Sequence, residues 1–167
     1  MFFIYRNPLI ILLCFSFNYA LADITGIVLK VVDGDTVHVM DEGNKRYKVR
    51  LLGIDAPELD QSYGIESKDM LADLIMDKKV NIVYTKKDKY KRVLGQIFLD
   101  EMDVNLAMIR SGLAWHFKRY SRDQAKKDVP IYSRAEQLAR ENAIGLWSDS
   151  AFLPPWKWRQ NKRRNSR

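Results

Sequence analysis

Apolar and polar residues alternate in several short segments of the chain, the pattern of β-strands that bury one face. Two of these segments, residues 36–40 and 46–51, flank the turn-forming sequence Asp41-Glu42-Gly43-Asn44 and predict a β-hairpin. Further strands are predicted at residues 24–32, 80–85 and 93–99. The chain is therefore expected to contain about five strands.

Other segments have the spacing of helices. A helix is predicted over residues 66–77, where four apolar side chains recur at helical intervals: Met70, Leu71, Leu74 and Ile75. A second is predicted from Asp103, a natural N-cap, to Gly112, a natural C-terminal stop, and a third over residues 132–142. Strands interrupted by helices predict an α+β fold compatible with a five-stranded OB-type β-barrel, although the pattern leaves closure of the barrel open.

The first 22 residues have the layout of a secretory signal peptide. Arg6 precedes an apolar run at residues 8–15, and Ala20-Leu21-Ala22 supplies small residues for cleavage. An uncleaved anchor is the alternative, but the apolar run is shorter than the ~20 residues that span a bilayer. We therefore expect cleavage after Ala22, a secreted or periplasmic protein, and no stable membrane association afterwards.

Composition narrows the class of protein. A chain of 167 residues with 47% apolar and 29% charged residues fits one globular domain, predicted here at residues 23–155. The one cysteine, Cys14, lies in the predicted signal peptide, so the mature chain has no disulfide and no Cys/His zinc cluster. The formal net charge of +7 indicates an anionic partner, either nucleic acid or a membrane surface.

The positive charge is concentrated in a basic tail, residues 156–167. This tail has six basic residues and no acidic residue, whereas residues 23–155 have 21 of each sign. Trp156 and Trp158 beside these charges could contact nucleic acid, but the tail could equally be a disordered, solubilising end. We expect it to raise affinity for polyanions without taking part in chemistry.

Carboxylates follow two of the predicted strands. Asp35 comes from the sequence Asp33-Gly34-Asp35, and Arg50 lies within an otherwise apolar strand end, residues 49–52, that leads to Asp55 and Glu58. Taken singly, these sequences are ordinary turns and loop starts. In combination they predict a site whose oxygen ligands suit a hard cation such as Ca²⁺. The residue before Pro57, Ala56, favours an extended backbone that can turn its carbonyl outward.

A second candidate lies in the basic segment 86–92. Most of its lysines are expected to form a solvated hairpin tip. Arg92 differs because it starts the next strand, where it could be held firmly enough to bind a phosphate.

These sequences together resemble the staphylococcal (micrococcal) nuclease family of calcium-dependent secreted nucleases. The resemblance covers nearly all of the mature chain. It rests on six segments in the expected order: residues 32–37, 50–58, 88–92, 104–105, 110–114 and 145–148.

The resemblance implies roles for individual residues. The metal ligands would be Asp35, Asp55 and the backbone carbonyl of Ala56. Glu58 would be the general base toward the attacking water, and Arg50 and Arg92 would clamp the scissile phosphate. Lys89 and Tyr90 would contact a terminal phosphate, and Tyr120 would be an aromatic residue beside the base, although residues 115–119 depart from the familiar form of the family.

The function implied by this resemblance is calcium-dependent hydrolysis of DNA and RNA by a monomer, with little sequence preference and 3′-phosphate products. One alternative is an OB-type module that binds nucleic acid without catalysis, although such modules usually lack the carboxylates or the arginines. Another is a cationic protein that binds membranes or cell walls. His38 and His116 are expected at surface or packing positions, and the tryptophans mainly in the core.

Overall fold

A computed structural model describes residues 22–150 and 152–166. The predicted signal peptide lies outside the described residues except for Ala22, where the first strand begins. The strands are β1 Ala22–Asp33, β2 Thr36–Asp41, β3 Arg46–Leu51, β4 Ile54–Asp55, β5 Lys79–Lys87, β6 Val93–Leu99, β7 Met102–Asp103 and β8 Trp115–His116. The helices are α1 Gly64–Ile75, α2 Val104–Arg110, α3 Asp128–Glu141 and α4 Pro155–Asn165, with 3-10 helices at Lys118–Asp123 and Gly145–Ser148.

Five of the strands form a closed barrel. Antiparallel pairings join β3 to β2, β2 to β1, β1 to β5 and β5 to β6. A parallel pairing of β3 with β6, in which Val49 faces Val93 and Leu51 faces Gly95, completes the circle. The predicted α+β fold with a five-stranded OB-type barrel is confirmed, including the closure that the sequence pattern left open.

The barrel interior holds the apolar residues that alternate along the strands. Val39, Val49, Ile82 and Ile97 are all fully buried, as are Leu71 and Ile75 of α1 and Met108 and Ile109 of α2. Burying one such side chain stabilises the fold by about 1.5–3 kcal/mol. The buried residues of α1 and α2 therefore belong to one continuous core with the barrel interior.

The predicted helices differ from the observed ones mainly at their ends. Helix α2 begins as expected, since the Asp103 side chain accepts a hydrogen bond from the Leu106 N–H at 3.0 Å. Helix α3 begins at Asp128, earlier than expected, because Pro130 falls in its first turn, where the missing N–H of proline is tolerated.

The basic tail forms the fourth helix, α4, for which no secondary structure was predicted. Its Trp156 ring contacts Trp115 at 6.3 Å and stacks on Phe117 at 5.6 Å between centroids. Trp115 itself belongs to a second apolar cluster with Trp147, so α4 is docked on the body of the protein. None of the helices in the described residues combines the length and apolar character that crossing a membrane requires.

Candidate active site

The turn between β1 and β2 fixes Asp35 in a buried position. Its Oδ2 accepts a hydrogen bond from the Ala56 N–H at 2.8 Å, and its Oδ1 accepts one from Thr36 Oγ1 at 3.1 Å. Gly34 allows this arrangement, because a Cβ there would collide with the Ser67 hydroxyl and the Ala56 side chain. A short turn thus brings one predicted metal ligand, Asp35, against the backbone of the other loop.

Arg50 lies at the end of β3 and joins the two predicted aspartates. Its Nη2 lies 2.9 Å from Asp35 Oδ2 and 2.8 Å from Asp55 Oδ1. Its Nη1 donates to the carbonyls of Leu51 at 3.0 Å and Ile54 at 2.9 Å. The strand end and the turn after it therefore hold the guanidinium in one orientation between two carboxylates.

Asp55 is the most buried of these acids, with 1% of its side chain exposed. It lies on β4, where it pairs with Trp115 of β8. Burial raises its pKa, while the hydrogen bond from Arg159 and the charge of Arg50 oppose that rise. Burial thus disfavours the ionised form of Asp55, and a neighbouring cation offsets that cost.

Glu58 lies on the loop between β4 and α1, with 38% of its side chain exposed. Its backbone N–H donates to Gln61 Oε1 at 3.3 Å, and its carbonyl accepts from the Gln61 N–H at 2.9 Å. Gly64 starts α1 directly against this loop, since a Cβ there would collide with the Glu58 carbonyl. Glu58 is therefore held near the buried carboxylates while still open to solvent.

Arg159 of α4 completes the cluster, and sequence reasoning missed it. Its Nη1 lies 2.6 Å from Glu58 Oε1, and its Nη2 lies 2.8 Å from Asp55 Oδ2. Lys162 and Trp158 hold the same helix to Asp60, the latter through its indole N–H at 3.2 Å. The tail was expected to act apart from the chemistry, but the structure places one of its arginines on the predicted base. The six basic residues of the tail are evident in the sequence, but the sequence does not distinguish Arg159 from the other five.

Asp33 is a second residue without a predicted role. Its Oδ1 accepts a hydrogen bond from the Asp35 N–H at 3.0 Å. Burial and the nearby Asp35 charge raise its pKa to about 7. The four acids Asp33, Asp35, Asp55 and Glu58 therefore outnumber the two guanidiniums among them, and burial disfavours the ionised forms of Asp33 and Asp55.

This donor set suits a hard cation, because it offers several carboxylate oxygens within one cluster. Within residues 22–150 and 152–166, however, no three acidic, histidine or cysteine side chains converge on one point that could hold a metal ion. Arg50 and Arg159 occupy the carboxylates instead. A cation would have to replace guanidinium contacts at Asp35 and Asp55.

The hairpin between β5 and β6 brings together the other predicted phosphate contacts, Lys89, Tyr90 and Arg92. The Arg92 guanidinium lies on Asp88, with Nε and Nη2 each 2.8 Å from Oδ2. Lys89 Nζ lies 5.0 Å from the centroid of the Tyr90 ring, which is 67% exposed. In the described contacts Arg92 is paired with this hairpin rather than with the carboxylate cluster. It precedes Val93, however, which pairs with Val49 beside Arg50.

His116 lies on β8, which pairs with β4, and Tyr120 lies on the 3-10 helix that follows β8 in the chain. Tyr120 is half exposed on the 3-10 helix Lys118–Asp123 and packs on Phe117, with ring centroids 5.1 Å apart. His116 is buried, with Nδ1 3.0 Å from Ser133 Oγ and Nε2 2.9 Å from Gln124 Oε1. Both ring nitrogens of His116 are thus engaged in hydrogen bonds inside the protein. Tyr120 lines a groove beside α4.

Comparisons with known proteins agree with the geometry. Residues 48–149 match the family described as staphylococcal nuclease homologue. An uncharacterized endonuclease of Escherichia coli is 42% identical over 154 residues, which cover 92% of this chain and 96% of that protein. An uncharacterized endonuclease of Haemophilus influenzae is 41% identical over 83% of this chain and 74% of that protein. A Shigella flexneri protein named micrococcal nuclease is 34% identical over 84% of this chain and 83% of that protein.

The family match extends over more than half of the chain, and the first two relatives cover most of it. The predicted enzyme class, a phosphodiester-cleaving nuclease, is confirmed with the predicted family. The chain therefore belongs to the staphylococcal nuclease homologue family.

Proposed function

We propose that this protein is a calcium-dependent nuclease that hydrolyses DNA and RNA with little sequence preference and leaves 3′-phosphate ends. The observation that carries the proposal is the cluster in which Arg50 joins Asp35 to Asp55 beside Glu58. The carboxylates offer hard oxygen ligands, and the arginines offer planar donors for phosphate oxygens. The predicted export signal supports a secreted or periplasmic enzyme, and we propose that it acts as a monomer.

In this mechanism Asp35, Asp55 and the carbonyl of Ala56 would hold the ion. Calcium would supply positive charge beside the phosphate oxygens. Glu58 accepts a proton from a water molecule whose oxygen attacks phosphorus. Arg50 and Arg92 hold the phosphate oxygens as negative charge builds up on them. The bond from phosphorus to the 5′ oxygen breaks, that oxygen takes a proton from solvent, and the phosphate stays on the 3′ end.

Glu58 can serve as the base only when it is not bound to Arg159. The two side chains form an ion pair in which both partners are about one-third exposed. Such a pair is weak enough to open when a substrate phosphate offers Arg159 another anion. Arg92 likewise must leave Asp88 to reach a phosphate near Arg50.

The deciding experiment incubates purified protein with plasmid DNA or with RNA in calcium, magnesium or chelator. Degradation with calcium and none with chelator is expected, and Glu58→Gln should reduce the rate by ~10²–10³. The Glu58→Gln protein also serves as a control for contaminating nuclease. Binding of both substrates without degradation under any of these conditions would instead favour the non-catalytic OB-type module.

A further inference from the structure

Helix α4 and the 3-10 helix Lys118–Asp123 enclose an open groove of about 480 Å³ beside the carboxylate cluster. We name it the α4 groove. Its charged lining consists of four arginines and no acidic residue: Arg119, Arg159, Arg163 and Arg164. Its aromatic lining is Phe117, Tyr120 and Trp156. A surface with this chemistry attracts an anion that also carries flat apolar groups.

Three of these arginines, Arg119, Arg163 and Arg164, have no ion-pair partner among the described residues. Arg159 pairs with Asp55 and Glu58, and its neighbour Lys162 pairs with Asp60. Arg163 and Arg164 form no ion pair within residues 22–150 and 152–166, and both are exposed. Their guanidiniums therefore remain available to an anion from solution.

The aromatic rings of the groove are already held in place. Phe117 stacks on Trp156 with an angle of 22° between the rings, and Tyr120 leans on Phe117. Tyr120 is still 51% exposed and Trp156 is 37% exposed. Ring surfaces fixed by packing but open to solvent can stack on a base at little cost in side-chain entropy.

Arg159 connects this groove to the candidate active site. The same guanidinium lines the groove and contacts Asp55 and Glu58. A polymer that lies in the groove would therefore continue directly toward the predicted base. This continuity favours a nucleic-acid strand over a small anion.

We propose that the α4 groove binds a segment of single-stranded nucleic acid on one side of the scissile phosphate. Its phosphates lie on Arg163 and Arg164, and a base lies on the exposed ring of Trp156, next to Tyr120, which the family resemblance already places beside a base. The proposal rests on the proposed nuclease function, for which it names the binding path of the substrate. A lipid surface is less suited, because the cations and rings line a recess rather than a protruding face.

The test measures binding of a fluorescent oligothymidylate dodecamer by anisotropy, with the full protein in chelator so that no hydrolysis occurs. The groove variant is Arg163→Ala with Arg164→Ala. The matched control, Lys126→Ala with Lys157→Ala, removes two exposed positive charges outside the groove lining. We expect the groove variant to bind roughly tenfold more weakly or worse. Its slope of log K against log salt should fall by about 1.4, at 0.7 per lost single-strand phosphate contact. Equal losses in both double variants would overturn the proposal, since only overall charge would matter.

A second comparison tests the aromatic part. An abasic strand of the same length should bind wild type more weakly than the dodecamer, and an oligouridylate should bind about as well as the dodecamer. Equal binding of the abasic strand, or tighter binding to anionic lipid vesicles that depends on Arg163 and Arg164, would overturn a nucleic-acid groove. Thermal melting of each variant checks that it is folded. Calcium-dependent hydrolysis is measured separately, so that failure of catalysis and failure of the groove are distinguishable.

Discussion

Arg50 uses both of its terminal nitrogens inside the protein before any substrate arrives. One nitrogen donates to two backbone carbonyls, and the other lies between Asp35 and Asp55. The two nitrogens together make four contacts at 2.8–3.0 Å, which the fork of a guanidinium can supply and a single ammonium nitrogen cannot. Charge alone therefore does not describe what this residue contributes.

The charge-conserving variant Arg50→Lys should separate charge from geometry. An ammonium group cannot reach two carbonyls and two carboxylates at once, so we expect kcat/KM for an oligonucleotide to fall by ~10²–10³. Circular dichroism and thermal melting check that the barrel persists. Wild-type kcat/KM in a folded Arg50→Lys protein would contradict a role for the planar fork.

Asp33 should make the metal-free protein less stable as pH rises from about 4 to about 7. Its pKa is raised from 3.8 in an ordinary environment to about 7 by burial and by Asp35. The folded protein thus binds more protons than the unfolded chain between these values, and stability falls as pH rises through that window. Asp33→Asn should therefore increase the unfolding free energy by about 1–3 kcal/mol at pH ~8 and have a much smaller effect at pH ~4. Urea unfolding in chelator measures the unfolding free energy at each pH. A gain of equal size at both pH values would show that titration of Asp33 is not its cause.

At the scale of elements, the sequence predicted a helix or a turn correctly where the residues that determine it lie close together in the chain. Asp103 caps α2, and the turn at residues 41–44 joins β2 to β3, as the sequence predicted. The two-residue strands β4 and β8 escaped prediction because such short segments have no period, and only their mutual pairing defines them. Helix α4 escaped prediction because an isolated helix of 11 residues is marginal. Its docking partner Asp55 lies 104 positions from Arg159.

His116, on the strand β8 that pairs with β4, should make the stability of the folded protein sensitive to acid. Burial lowers the pKa of His116 below 6.5, partly opposed by the hydrogen bond to Gln124. The unfolded chain then takes up a proton that the folded protein resists, so stability is lost as pH falls below about 6.5. His116→Gln removes this titration, so wild type should lose more unfolding free energy than the variant between pH ~7.5 and pH ~5. Equal losses would show that other groups cause the acid sensitivity.

At the scale of the whole molecule, the tail contributes both positive charge and packing contacts. Residues 156–167 contain six basic residues, and α4 also covers Trp115 and anchors on Asp55, Glu58 and Asp60. From the sequence, the tail was expected to raise affinity for polyanions without taking part in chemistry. The contacts of Arg159 and Trp156 argue instead that its loss disturbs both stability and site.

Deletion of residues 156–167 should lower the unfolding free energy by about 2–4 kcal/mol, since it exposes apolar surface and leaves the buried Asp55 with one cation fewer. Arg159→Gln should reproduce only the electrostatic part, and Lys157→Gln should have little effect as an exposed control on the same helix. Denaturant unfolding of the three proteins measures the difference. A deletion as stable as wild type would mean that α4 is not docked in solution.

The parallel pairing of β3 with β6 also governs the order of folding events. It joins Val49 to Val93, 44 positions apart, whereas the β2–β3 hairpin forms from neighbours. Loop-closure entropy makes the distant pairing the slower event. Until it forms, Arg50 and Arg92 lie on separate segments and cannot reach the one phosphate that they are proposed to clamp. During refolding, hydrolysis should therefore return later than hairpin and helix signals, and a partly folded chain stays harmless to the nucleic acids around it.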